Sequence, residues 1–431
     1  MLYMSSVKKL ARKIIPKQRL SRAEETYRLG KAKTAYALYG KAPKAAKVIA
    51  VTGTNGKTTT CAFINAMLKQ SGLKTAVYTT AFTEVAGDYQ DNTTHMTVAS
   101  PWSVQKFFKK AKNAKVDWVV LEVTSHALDQ HRIYGVNVDI AVVTNLSQDH
   151  LDYHKTMDNY AAAKARLITE FQPKDVVLNA DDEWFEYFGR KVKKHLHSVG
   201  LHNATDQIKE MQLTPEGTSF SVVSKLGRTD VSMPMVGEFN VYNAAMAVTV
   251  GVIIGLDKKA IATGIGNLAV VAGRLEPVVA GQDFAVLVDY AHTPDALKNV
   301  LQAVRGITRG KLRVVFGATG DRDPTKRPDM GKVAMQNADV VYLTDDETYT
   351  EDGDAIRSAV KQGIEAAASD AVYFEIADRK AAILQALKDA KVGDAVVLAG
   401  IGHQDYRNMG GKKQPWDERV VAKELLTELL G

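Results

Sequence analysis

The stretch KVIAVTGTNGKTTTCAFINAMLKQSG, residues 47–72, carries the reading of the fold. Its first seven residues are an apolar run of strand length. Residues 57–72 follow a helical period and are closed by Gly72. Between them lies Gly53-Thr54-Asn55-Gly56-Lys57-Thr58, a glycine-rich turn from strand to helix. In that context the backbone N–H groups of Gly53, Thr54, Asn55, Gly56 and Thr59 are free to turn inward on phosphate oxygens. The helix N-terminus adds favourable partial charge. Lys57 would reach the β/γ-phosphates, and the Thr58 hydroxyl would hold Mg²⁺. The bland alternative is an ordinary strand–helix turn. The long pattern G-x-x-x-x-G-K-[ST] is unmet, because Val51 stands at its first glycine.

Outward from this loop, apolar strands recur at 116–123, 138–146 and 175–180, with helical stretches between some of them. That alternation predicts a doubly wound parallel sheet. Residues 195–236 read as an antiparallel patch with turns at 215–217 and 226–228, and residues 237–256 as a helix. A second series of strands and helices starts after Arg274, with strands at 284–291, 312–319, 338–346 and 394–402. The fold class expected is α/β: a P-loop ATPase domain over 46–275, a C-terminal Rossmann-like domain over 276–431, and a short basic helical segment over 1–45.

Composition restricts the function classes. The 431 residues are 45% hydrophobic and 24% charged, which excludes disordered and collagen-like chains. The net charge of +7 is concentrated: residues 1–47 hold 13 Lys/Arg against 2 Asp/Glu, and the remainder is slightly acidic. The body therefore lacks the charge of a nucleic-acid-binding domain, and no nucleic-acid partner is expected. The single cysteine, Cys61, excludes an internal disulfide and fits a reducing cytoplasm. The apolar stretch Ala247–Leu256 falls well short of the ~20 residues that span a bilayer. In the basic segment, Val7, Leu10, Ala11, Ile14 and Ile15 share a helical face before Pro16. This is a packed helix with solvated lysines, a weak contact with an anionic membrane surface, or, being Arg-rich and acid-poor, a mitochondrial transit peptide.

Many further blocks, in order, resemble the Mur ligases, ATP-dependent amide ligases of peptidoglycan precursor synthesis. VTGTNGKTTT (51–60) resembles their ATP loop. EVTSHALDQHR (122–132), TNLSQDHLDYH (144–154), YAAAKARL (160–167), GEFNVYN (237–243), GRLEP (273–277), VDYAHTPDAL (288–297), GDRDPTKRP (320–328) and AGIGHQDY (399–406) follow. They look most like the members that add the third residue of the stem peptide. The resemblance runs from about residue 46 to the end.

The resemblance implies ATP-driven amide formation on UDP-muramoyl-dipeptide, through an acyl phosphate that an amino acid then attacks. It implies that Lys57, Lys164 and His150 serve catalysis, and that Thr58 and Glu122 ligate one Mg²⁺. His150 resembles a ligand of a second Mg²⁺, and Lys164 matches a lysine carried as a carbamate. A carbamate offers Mg²⁺ anionic oxygens where a bare ammonium would repel it. Asn240 and Asp289 resemble nucleotide contacts. Thr97, Thr124, Gln130 and Arg132 resemble positions holding the muramoyl substrate. Arg322, Asp346, Gly400 and Gln404 fall where the family receives the incoming amino acid. Without the surrounding blocks, His150 would read as a structural histidine, Lys164 as a solvated helix lysine and Asn240 as a helix cap. A monomer is expected.

Three departures bear on specificity. A basic segment of about 46 residues stands where the family usually carries a full UDP-binding domain. The family's Asp-Asn-Pro-Arg motif reads Asp346-Glu347-Thr348-Tyr349, without its arginine. A Gly-x-Gly-His-Glu block ends in Gln404 instead of an acid. Burying the second carboxylate of diaminopimelate without a partner is costly. The amino acid expected is therefore a basic one such as L-lysine. The competing readings are a folylpolyglutamate-type ligase with a changed acceptor and a non-catalytic nucleotide-binding paralogue.

Overall fold

The computed structural model describes residues 17–94 and 96–431. The apolar face read at Val7–Ile15 lies outside the described residues. The described chain opens with the helix Lys17–Leu38, in which Ala32 and Ala35 are fully buried. The Tyr36 ring of this helix occupies the space that a side chain at Gly135 would fill. Tyr39 meets Trp102 edge-on.

A first sheet is built from β1 (Lys47–Thr52), β2 (Thr75–Tyr78), β3 (Phe82–Val85), β4 (Asp88–Asp91), β5 (Trp118–Glu122), β6 (Ile140–Val143), β7 (Asp175–Asn179), β8 (His195–Gly200), β9 (Asp206–Thr214), β10 (Gly217–Ser224) and β11 (Gly227–Met233). The strands lie in the order β11-β10-β9-β8-β7-β6-β1-β5-β2-β3-β4. From β8 to β2 the neighbours run parallel. Such strands need cover on both faces, and the alternation along β1 supplies it. Ile49 and Val51 join a core with Phe63 and Met67 of the helix Lys57–Gln70 and Val241 of the helix Glu238–Ile253. Val48 and Ala50 point the other way, into a core with Val104, Phe107 and Leu167.

Two details differ from the sequence reading. The patch at 195–236 is not antiparallel throughout. β8 pairs parallel with β7 and with β9, and only β9, β10 and β11 form an antiparallel meander. The β3–β4 hairpin carried no readable signal, because β4 is Asp-Tyr-Gln-Asp and exposed throughout.

The second sheet comprises β12 (Glu276–Pro277), β13 (Ala285–Asp289), β14 (Leu312–Phe316), β15 (Val340–Leu343), β16 (Val372–Glu375) and β17 (Ala395–Ala399), in the order β12-β13-β17-β14-β15-β16. All neighbours are parallel except β12–β13. Its two faces carry separate apolar cores. A hairpin, β18 (Tyr406–Met409) with β19 (Lys412–Pro415), follows β17. Among the described residues no helix is long and apolar enough to cross a membrane.

The two sheets present their C-terminal strand ends to each other. Asn55 Nδ2 donates to Asp295 Oδ2 at 2.7 Å, and Gln148 Nε2 donates to Thr325 Oγ1 at 3.0 Å. Lys326 Nζ lies 3.1 Å from Asp149 Oδ1. In open α/β sheets this edge is where ligands bind.

Candidate active site

The loop after β1 turns on two glycines. Gly53 has φ +148° and Gly56 φ +79°, conformations that L side chains rarely adopt. A Cβ on Gly56 would overlap the Asn243 carboxamide, and one on Gly53 would overlap the Thr144 hydroxyl. The loop is braced by the segment after β6: Thr54 N donates to Asn145 O at 3.0 Å, and Asn55 N donates to Asn145 Oδ1 at 2.9 Å, so these two N–H groups, expected to turn on phosphate oxygens, are taken up by the brace. Lys57 Nζ folds back to donate to Thr54 O at 2.7 Å. Burial lowers its pKa, against the opposing pull of Glu122. Thr59 is buried in the first turn of the helix.

Glu122 ends β5 directly beside this loop. Its Oε2 accepts from Thr58 Oγ1 at 3.0 Å and from Thr80 N at 2.8 Å, and its Oε1 accepts from Thr80 Oγ1 at 2.9 Å. Arg274, from the segment joining the two sheets, donates Nη2 to Thr58 Oγ1 at 3.3 Å. A hydroxyl and a carboxylate side by side on a phosphate loop are hard oxygen donors. They fit Mg²⁺, which keeps several waters and takes one or two protein oxygens.

Lys164 projects from the helix Met157–Thr169, 1% exposed. Its Nζ donates to Gly53 O at 2.6 Å and lies 4.5 Å from the centre of the Tyr160 ring. Burial, followed by repulsion from Lys57, holds its pKa well below the usual lysine value. His150 sits apart from Glu122, with Nε2 3.3 Å from Asp149 Oδ2. Its ring packs edge-on against His126, which also meets His154. Burial lowers the pKa of His150 to about 3, and of His126 and His154 to about 4 each. Among the described residues no three His, Cys, Asp or Glu side chains form a ready-made metal cluster. Thr58 and Glu122 touch; His150 and Lys164 are held by other partners.

A cavity of about 860 Å³ opens beside the loop, walled by Asn55, Thr59, Asn240, Arg274 and Asp289. Asn240 donates Nδ2 to Val236 O at 2.8 Å. Asp289 accepts Leu275 N and Ala291 N, each at 2.8 Å, so it also ties down the segment joining the sheets.

The residues expected to hold the muramoyl substrate split into two groups. Thr97 shares a hydroxyl–hydroxyl contact with Thr80, which bonds Glu122. Gln130 and Arg132 form their own pair: Gln130 Oε1 accepts Arg132 Nε at 3.1 Å and Nη2 at 2.7 Å. Thr124 caps the helix Ser125–Asp129 by accepting Ala127 N.

On the second sheet, Arg322 lies over the Tyr349 ring at 5.0 Å. Asp346 is buried, with Oδ1 accepting Glu347 N at 2.7 Å and Oδ2 lacking a hydrogen-bond partner among the described residues. Gly400, φ +116°, leaves room for that oxygen; a Cβ there would overlap it. Gln404 Nε2 donates to Tyr290 OH at 3.4 Å. Burial, then Asp346, raises Glu347 to a pKa of about 7. Sequence reading missed Arg407. From β18 it donates to the main-chain carbonyls of Asp345 and Asp346, at 2.7 Å and 2.6 Å, and stacks over Trp416. No motif marks it, because the hairpin brings it 61 residues back to the acidic turn. Arg274, likewise unassigned from sequence, lay in plain view within GRLEP.

Comparison with known proteins gives the family. Residues 51–251 match the Mur ligase middle domain, and residues 273–402 match the Mur ligase, glutamate ligase domain. The chain belongs to the Mur ligase family. Among Mur ligases it is 42% identical, over 91% of its length and 81% of the relative's, to UDP-N-acetylmuramoyl-L-alanyl-D-glutamate–2,6-diaminopimelate ligase of Bacillus licheniformis. The identically named protein of Syntrophomonas wolfei is 39% identical over 90% and 80% of the two chains. A solved structure of a Mur ligase with that name superposes with TM-score 0.61 at 33% identity, covering 90% of this chain and 79% of the other. Folylpolyglutamate synthase of Mycobacterium tuberculosis, at 19% identity, shares the fold with TM-score 0.70 over 94% and 95% of the two chains.

Proposed function

We propose that this Mur ligase adds the third amino acid to UDP-N-acetylmuramoyl-L-alanyl-D-glutamate. The family makes amide bonds at the expense of ATP with Mg²⁺. The observation that carries the reading is the braced P-loop with the Thr58–Glu122 pair, facing Arg274 and the second sheet across one cavity. A carboxylate oxygen of the D-glutamyl residue attacks the γ-phosphorus of ATP, and ADP leaves. The incoming amine then attacks the acyl carbon, inorganic phosphate leaves, and the amine loses a proton.

Lys57 would neutralise the transferring phosphoryl group once ATP displaces its contact with Thr54 O. Thr58 and Glu122 would hold Mg²⁺, which would supply positive charge against the phosphates. Asn240 and Asp289 would line the nucleotide, and Thr97, Thr124, Gln130 and Arg132 the muramoyl substrate. Lys164 would carry a carbamate. Its buried, desolvated amine supports that assignment, because only the neutral amine attacks carbon dioxide, forming an N–C bond and releasing a proton. His150 would then complete a second Mg²⁺ site with the carbamate. We place the boundary between the two catalytic domains at residues 275 and 276.

For the incoming amino acid we favour L-lysine. Arg322 would take its α-carboxylate. Asp346 Oδ2, without a hydrogen-bond partner among the described residues, offers an acceptor to a side-chain ammonium, whose charge would favour the ionised form of the nearby Glu347. The relatives named above are named for diaminopimelate, so this would be a departure from them. The test is incubation with ATP, Mg²⁺, UDP-muramoyl-dipeptide and each amino acid, followed by mass spectrometry and phosphate release. A tripeptide product with one phosphate per bond is expected. ATP hydrolysis without any product would refute the function. A higher kcat/KM for diaminopimelate would refute only the lysine assignment and point to Arg407 as the second carboxylate's partner.

A further inference from the structure

The helix Lys17–Leu38 does more than cover the first sheet. Its Arg28 reaches the Gln130–Arg132 pair that the proposed function assigns to the muramoyl substrate. Arg28 Nη1 donates to Tyr153 OH at 3.2 Å, and Gln130 Nε2 donates to the same oxygen at 3.4 Å. Gln130 Oε1 in turn receives Arg132. Two guanidinium groups are thus linked through one phenol and one carboxamide. Tyr153 is itself fixed by donating to Asp129 Oδ2 at 2.5 Å.

The charge around this relay is unbalanced. Arg28 has Glu24 and Asp129 at 3.6 Å each. Arg132 rests on neutral acceptors, Gln130 Oε1 and Val98 O, and among the described residues no carboxylate lies within ion-pair range of it. Burial, and then the charge of Arg28, push the Arg132 guanidinium below its ordinary pKa. Two arginines linked through Tyr153 and Gln130, one lacking a carboxylate partner among the described residues, suit a multiply charged anion that can take a contact from each. The muramoyl acceptor carries such a group in its diphosphate.

We propose that Arg28 is a substrate-binding residue, forming with Arg132 a subsite for the diphosphate of the UDP-linked acceptor. The assignment rests on the function proposed above. It gives the basic N-terminal helix a binding role, and Arg28 is held in place for it by the buried Ala32 and Ala35 and by the seat of Tyr36 on Gly135.

The test compares two acceptors on the full chain: UDP-N-acetylmuramoyl-L-Ala-D-Glu and the same muramoyl-dipeptide without UDP. Arg28→Gln is expected to raise KM for the UDP-linked acceptor about 10–100-fold, the size of a lost charge-assisted contact. KM for the truncated acceptor should move less than about twofold on that scale. Arg28→Lys should recover part of the loss. Asp129→Asn loosens the same helix contact while keeping both guanidinium groups. It should therefore lack the UDP-specific effect. Equal effects of Arg28→Gln on both acceptors would mean that Arg28 serves the sugar or peptide, or only the helix, and would overturn the proposal. If the wild type forms no product, the proposed function fails. Calorimetric titration of UDP-muramoyl-dipeptide, with a non-hydrolysable ATP analogue present, then decides on Arg28 alone. Weaker binding by Arg28→Gln supports the subsite, and unchanged binding refutes it.

Discussion

Lys57 and Lys164 both lose hydration beside the phosphate loop, yet their proposed chemistry demands opposite charge states. At Lys57 burial lowers the pKa and Glu122 opposes that shift, and Lys57→Ala should cost about 10²–10³-fold in kcat by removing charge stabilisation at the transferring group. At Lys164 burial, and then the charge of Lys57, lower the pKa and so favour the neutral amine that forms a carbamate. Lys164→Ala should be as inactive, but short carboxylates added to the assay should restore part of its activity and none of the Lys57→Ala loss. Full activity of Lys164→Ala without rescue would remove the carbamate from the mechanism. Glu347 gives a stability prediction with a definite pH window. Its folded pKa of about 7 lies above the unfolded value near 4.5. The folded state therefore binds the extra proton between those values, and stability falls as pH rises through them. Between pH 5 and 8 the wild type should lose on the order of 2–3 kcal/mol that Glu347→Gln retains. Parallel denaturant titrations of the two proteins would check it; identical pH slopes would show that the carboxyl ionises freely in the fold.

At the scale of elements, the strand–loop–helix at 47–70 was readable because its steps reinforce one another. A doubly buried strand forces an apolar run, the turn forces glycines, and the helix carries its own period. The other parallel strands were readable for the same reason, as β5 and β6 are buried throughout. The direction of β8 was not. His195-Leu196-His197 is largely exposed and half polar, so its sequence holds no record of which neighbour it pairs with. The hairpin that delivers Arg407 was equally hidden, since β19 is Lys-Lys-Gln-Pro and wholly exposed. The loop itself can be tested through Gly56. Alanine there meets a left-handed backbone, costing about 1–2 kcal/mol, and an overlap with Asn243 besides. Gly56→Ala should lower Tm by a few degrees and weaken binding of a non-hydrolysable ATP analogue at least about tenfold, because the N–H groups no longer converge. Unchanged calorimetric affinity would mean that nucleotide phosphates sit elsewhere.

For the whole molecule, the decisive contacts join the two sheets, and these were the least legible features, since each depends on residues far apart in the chain. The sequence placed Lys57, Glu122 and His150 at strand ends of one domain and Arg322, Asp346 and Gly400 at those of the other. It held no sign of what fixes their separation. The structure supplies a candidate in Lys326 and Asp149, 177 residues apart and hydrogen-bonded at 3.1 Å, with Lys326 2% exposed. Burial would raise the Asp149 pKa, yet Lys326 holds the carboxylate far below its usual value. The neighbouring histidines, His150 and His292, are mostly neutral at pH 7, so Lys326 is the principal cation facing this acid. Removing it by Lys326→Met strands a buried carboxylate, at a cost of about 3–5 kcal/mol if the sheets stay together. The cheaper response is for the second sheet and its helices to swing away and let water reach Asp149. Lys326→Met should therefore enlarge the radius of gyration in small-angle scattering and raise KM for ATP. Asp149→Asn removes the stranded charge, so the double variant should be less impaired than the two single losses summed, with a coupling above about 0.5 kcal/mol. Additive losses and an unchanged radius would show that the pair is incidental and that Asn55–Asp295 and the Gln148 contacts hold the closed arrangement by themselves.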